Sequence, residues 1–146
     1  MLCEAPTPAL HGGGRPDEAE RPNTLNTFLV FLGAGLGGVL RHGVNVAALR
    51  LGSSFPWGTL SINVVGSVLM GVVAGWFALR GGHPQTRLFL ATGVLGGFTT
   101  FSTFSLEAFT LIERGDWGAA LAYVLVSVLA GIGGLALALV LMRQVL

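Results

Sequence analysis

The sequence has no lysine; all eight of its basic residues are arginine. That excludes a phosphate-loop lysine, a Schiff-base lysine and a lysine general base. No aspartate or glutamate occurs between Glu20 and Glu107. Carboxylate metal sites and paired-carboxylate acid/base chemistry therefore have almost no material. The single cysteine, Cys3, excludes an internal disulfide and a cysteine metal cluster. Charged residues make up 10% of the 146 positions, where soluble domains run near ~25%. What is abundant is apolar: 52% of residues are hydrophobic and the mean hydropathy is +0.73. This composition points to an integral membrane protein. A formal net charge of +1 gives no footprint for nucleic acid.

Residues 1–26 read as a disordered tail. They hold Glu4, Asp17, Glu18 and Glu20, four of the six prolines and the run Gly12-Gly13-Gly14. They lack the apolar stretch of a signal peptide. Residues 27–146 read as one four-helix transmembrane domain. Its apolar segments run from about Thr27 to Leu49, Thr59 to Leu79, Leu88 to Ile112 and Gly118 to Leu141. Each can cross a hydrocarbon core of ~30 Å. Backbone groups in lipid must bond internally, so the fold class is all-α. Trp57, Trp76 and Trp117 fall near segment ends, as an interfacial belt requires. Arg15, Arg21, Arg80, Arg87 and Arg143 lie on one side, against Arg50 and Arg114 on the other, which places both termini in the cytoplasm. Glycines at four-residue spacing (Gly33 and Gly37, Gly71 and Gly75, Gly93 and Gly97) allow close helix packing. The string from Gly33 to Gly38 formally matches a dinucleotide motif, but no strand precedes it and no acid follows, so helix packing explains it.

The second segment repeats Thr59, Asn63, Ser67, Gly71 and Gly75 on one helical face. Serine and threonine there can bond their own helix. An amide in lipid needs outside partners, so Asn63 is expected at an aqueous mouth or polar track. The third segment holds Gly96-Gly97-Phe98-Thr99-Thr100-Phe101-Ser102-Thr103-Phe104-Ser105, with five hydroxyls among the seven residues from Thr99 to Ser105. Paired glycines followed by β-branched polar residues are poor helix, so a break near the bilayer midplane is expected. Phe101 and Phe104, three apart, share a face amid hydroxyls. Ring edges and hydroxyls together suit a small anion without a full positive charge, which would bind too tightly to conduct. Tyr123 and Ser127 share a face of the fourth segment with Gly131. Arg41 lies inside the first segment and either snorkels to the interface or serves a site. Glu107 is expected to pair with a helix terminus or an arginine.

Taken together, these residues resemble the CrcB/Fluc family of fluoride channels over about residues 28–142. The marks are Gly37-Gly38 with Arg41, Gly58-Thr59-Leu60 with Asn63 and Gly66, and Gly93 with the Gly96–Ser105 string and Glu107. The resemblance implies a multi-pass protein of the bacterial plasma membrane, not an enzyme, that passes fluoride passively and lowers its cytoplasmic level. It implies an antiparallel dimer with two pores and, at its centre, a structural sodium ion that is not transported, held by the backbone carbonyls of Gly96 and Thr99. Phe101 and Phe104 would be the pore phenylalanines, Asn63 the pore-mouth amide, Tyr123 and Ser127 the polar track, and Arg41 the vestibule arginine. Two departures stand out. Gly131 replaces a hydroxyl found in some members. The arginine asymmetry favours one orientation, so an oppositely oriented paralogue is the alternative to a homodimer. A small multidrug-resistance-type exporter would need a glutamate in its first helix, and residues 27–49 contain none.

Overall fold

The computed structural model describes residues 23–50 and 52–145. The first 22 residues of the N-terminal segment lie outside them. Among the described residues every regular element is helical: α1 (Thr24–Leu49), α2 (Trp57–Arg80), α3 (Pro84–Arg87), a π-helical stretch (Leu88–Leu95), α4 (Gly96–Phe98), α5 (Phe101–Glu113) and α6 (Trp117–Val145). Four spans result, of 26, 24, 30 and 29 residues, the third running from Pro84 to Glu113. At about 1.5 Å per residue each exceeds the ~30 Å hydrocarbon core. All are apolar enough to cross a membrane.

The spans begin earlier than hydropathy suggests, because local caps set their ends. The Asn23 side chain accepts from Leu25 N–H at 3.0 Å, so α1 starts at Thr24, three residues inside the segment read as tail. Pro84 occupies the first position of α3, where its missing N–H costs nothing. Gly81 and Gly82, with φ of 67° and 139°, turn the chain between α2 and α3.

Packing follows the glycines. α1 lies against the π-helical stretch and α4. A methyl group added at Gly33 would sit 2.8 Å from Gly93 Cα, and one at Gly97 would sit 2.7 Å from Ala34 Cα. The two backbones therefore touch where no side chain intervenes, as small residues in membrane helices permit. α2 runs along α6, with Gly71 against the Leu135 backbone and Gly75 against Met142. The central cluster is small: Leu60, Ala108, Leu111, Ala120 and Tyr123. Large apolar side chains such as Phe31, Val39 and Leu129 point outward, the distribution a lipid solvent favours.

Candidate functional site

The third span leaves its helical ladder at Thr99 and Thr100. Thr99 has ψ 156°, and Thr100 has φ −150° and ψ 118°, both extended. An extended link of this kind exposes backbone groups, and neighbouring side chains take up several of them. Thr100 N–H donates to Asn63 Oδ1 at 2.9 Å, and Asn63 Nδ2 donates to Thr100 O at 3.1 Å. Arg41 Nη1 donates to Thr99 O at 3.5 Å. Thr99 Oγ1 donates to Leu95 O at 3.0 Å. Thr100 also caps α5, accepting from Thr103 N–H at 3.3 Å while its hydroxyl donates to Thr103 Oγ1 at 3.0 Å.

Beside this link lies a cavity of about 310 Å³. Asn63, Ser67, Thr100, Phe101, Phe104 and Ser127 line it. Its lining residues carry amide, hydroxyl and aromatic groups, and no ionisable side chain. Ser127 is buried, and its hydroxyl has no hydrogen-bond partner. A buried polar group without a partner is rare and calls for one. Ser127 is one of the residues that line the cavity. The Phe101 and Phe104 rings lie 5.7 Å apart, tilted by 40°. Phe104 packs on the central cluster, whereas Phe101 is 80% exposed on the surface of the single chain.

The aromatic pair continues into a chain of rings. Phe104 meets Tyr123 at 5.1 Å, Tyr123 meets Phe55 edge-on at 5.7 Å, and Phe55 meets Trp57 at 4.6 Å. Tyr123 is fully buried, and its hydroxyl donates to Glu107 Oε2 at 2.8 Å. Thr59, also buried, donates to Glu107 Oε1 at 3.0 Å. Two hydroxyls therefore hold the Glu107 carboxyl, where an arginine or helix end was expected. The reason is register. Thr59 on α2 and Tyr123 on α6 both face the same turn of α5, while Arg114 lies seven residues further on. Beyond Glu107 opens a second cavity, of about 430 Å³, lined by Asn45, Ser54, Trp57, Thr59, Glu107 and Arg114 among others.

The structure thus gathers four of the six residues expected on the anion path, Asn63, Phe101, Phe104 and Ser127, around one cavity, with Thr99 of the expected cation site beside them. Tyr123 stands behind it, committed to Glu107. Arg41 reaches the link from the α1 side, on the Thr99 carbonyl. Thr59 and Phe55 carried no strong signal of their own. For Thr59 the hints were its place in the four-residue repeat and in the Gly58-Thr59-Leu60 string.

Gly96 and Thr99 offer carbonyl oxygens, the donor type that hard cations take. An unbroken helix would spend the Gly96 carbonyl on Thr100 N–H. That N–H goes to Asn63, and Gly96 is exposed. The donor set fits a sodium ion.

Comparison with known proteins places the chain in a family. Residues 28–139 match the family described as "CrcB-like protein, Camphor Resistance (CrcB)". A protein of Methylobacterium nodulans named "Fluoride-specific ion channel FluC" is 67% identical over 121 residues, 82% of this chain and 98% of its own length. Proteins of the same name from Methylobacterium sp. strain 4-46 and Granulibacter bethesdensis are 65% and 52% identical, over 82% and 84% of this chain and 98% of their own lengths in each case.

Proposed function

Because this chain belongs to the CrcB family, a family of multi-pass membrane channels and not of enzymes, we propose that it is a fluoride-specific channel that lets the anion leave the cell down its gradient. The cavity with the unpartnered Ser127 hydroxyl is the observation that carries this reading. Fluoride is small and strongly hydrated, so a selective path must replace its water with many weak donors. Asn63, the hydroxyls of Ser67, Thr100 and Ser127, and the ring edges of Phe101 and Phe104 supply them around one cavity. None carries a full charge, so an anion is stabilised without being trapped.

Several features extend the reading. Phe101 exposes an aromatic ring beside hydroxyls, a surface that a second, antiparallel chain would cover. The partner is a second copy or, given the arginine asymmetry, an oppositely oriented paralogue. The extended link then lies near the bilayer midplane. The Gly96 and Thr99 carbonyls would hold a structural sodium ion, which would supply a fixed positive charge at the link. Around it, this chain's own groups orient the anion path: Asn63 anchors Thr100, and Thr59 and Tyr123 anchor Glu107.

The test is release of fluoride from liposomes, followed with a fluoride electrode. Fluoride should leave much faster than chloride. Phe104→Ile, which removes the ring edge, should cut the flux by roughly tenfold or more, the loss expected from one interaction of ~1.4 kcal/mol. Equal release of the two halides would discard the reading.

A further inference from the structure

The link between α4 and α5 turns on a single peptide unit. Thr99 C=O and Thr100 N–H belong to one planar group, so they point in opposite directions. The N–H is held from α2 by Asn63 Oδ1 at 2.9 Å. The C=O is therefore turned to the other side, where Arg41 of α1 meets it at 3.5 Å. Asn63 also donates to the Thr100 carbonyl at 3.1 Å, so one side-chain amide holds both backbone groups of Thr100. A residue presents its own N–H and C=O to the same side only when extended. In a helix the two point to opposite ends of the axis. The Asn63 pair thus recognises the extended form of Thr100 and has no counterpart in a continuous helix. It acts on two carbonyls at once. Taking up Thr100 N–H removes the donor that would close the helix onto Gly96 O, and it sets the direction of Thr99 O.

We propose that Asn63 is a positioning residue for the cation site, its amide freeing the Gly96 carbonyl and aiming the Thr99 carbonyl. This inference rests on the sodium site proposed above, and its test does not depend on fluoride passage. The amide remains free to serve the anion as well, because one of the two Nδ2 hydrogens is left over after the bond to Thr100 O.

The measurement is thermal unfolding of the purified full-length protein in detergent, in sodium chloride and in N-methylglucamine chloride. Sodium should raise the wild-type midpoint. Asn63→Ala should abolish the shift, and Phe104→Ile, which leaves the Asn63–Thr100 bonds in place, should keep it. Asn63→Thr stays neutral, and its single hydroxyl is too short to span both backbone groups of Thr100. Its half-saturating sodium concentration should rise by roughly tenfold, the worth of one hydrogen bond. It decides the matter if the alanine variant does not purify folded. Asparagine variants with a wild-type sodium shift would overturn the proposal, as would a wild-type protein indifferent to sodium. A protein that releases no fluoride yet shows the sodium shift, with its loss on Asn63→Ala, would sink the channel reading and leave this one standing.

Discussion

The third span and α6 are nearly equal in length, at 30 and 29 residues, but unlike in build. α6 is one uninterrupted helix with a mean hydropathy of 2.6 in its most apolar window. The third span, at 1.3, passes through α3, a π-helical stretch, α4, an extended link and α5. In lipid every backbone group must find a partner inside the protein. A uniform helix meets that demand by itself. The third span departs from it only where neighbours supply replacements: Asn63 from α2 and Arg41 from α1. The interrupted span therefore contributes backbone chemistry, and α6 contributes two side chains, Ser127 at the cavity and Tyr123 on Glu107 of α5. π-helical turns concentrate at functional sites in general, and here one precedes the link, separated from it by α4.

The comparison breaks most visibly at the glycines. A valine at Gly97 would drive its Cβ to 2.7 Å from Ala34 Cα, against backbone that cannot rotate away. Gly97→Val should destabilise the fold by ~3 kcal/mol, the upper range for overpacking. Gly133 on α6 has nothing within 4 Å of a built Cβ. Gly133→Val should purify in normal yield, with an unchanged melting midpoint. Equal behaviour of the two variants would mean that α6 packs as tightly as the third span does.

The same contrast explains what was legible beforehand. Hydropathy located all four spans, because lipid selects for apolar length irrespective of packing. The hydroxyl-rich string from Thr99 to Ser105 stood out because its composition suits neither lipid nor a regular helix. The partners were not legible. That Glu107 takes two hydroxyls depends on the rotation of α2 and α6 about α5, which no linear pattern encodes. Phe55 sits in a connection, and its role as a bridge between Tyr123 and Trp57 arises from tertiary contact alone. The π-helical stretch likewise leaves no mark in an apolar run such as Leu88–Leu95.

A smaller effect tests whether α6 supports the third span through its side chains. Tyr123→Phe keeps the ring stack on Phe104 and Phe55 and removes the donor to Glu107. A part-buried carboxyl oxygen losing its partner should cost ~1 kcal/mol. Chemical denaturation in detergent would measure it, and no loss would mean that water replaces the phenol. Ser127→Ala should behave in the opposite way. Its hydroxyl has no bond to lose, so stability should change by less than ~0.5 kcal/mol, while fluoride release falls by roughly tenfold if the hydroxyl meets the anion. Ser105→Ala is the control on the third span. That hydroxyl faces out and donates to its own helix at Phe101 O, so neither readout should move.

The smallest effect concerns the position where α6 has no hydroxyl to offer. Gly131 is buried one turn beyond Ser127, and a built Cβ lies 3.4 Å from Ser67 Oγ, a contact the site can absorb. Gly131→Ser would place a new hydroxyl beside an existing one. Replacing glycine inside a helix gains ~0.5 kcal/mol, which offsets a slight crowding of Ser67. The melting midpoint should therefore barely move. If the path through this end of the cavity depends on a continuous line of donors, fluoride release should rise; if Ser67 already serves as the next donor after Ser127, it should stay level. A fall in release with unchanged stability would show that the open volume at Gly131, and not its missing hydroxyl, is what α6 contributes there.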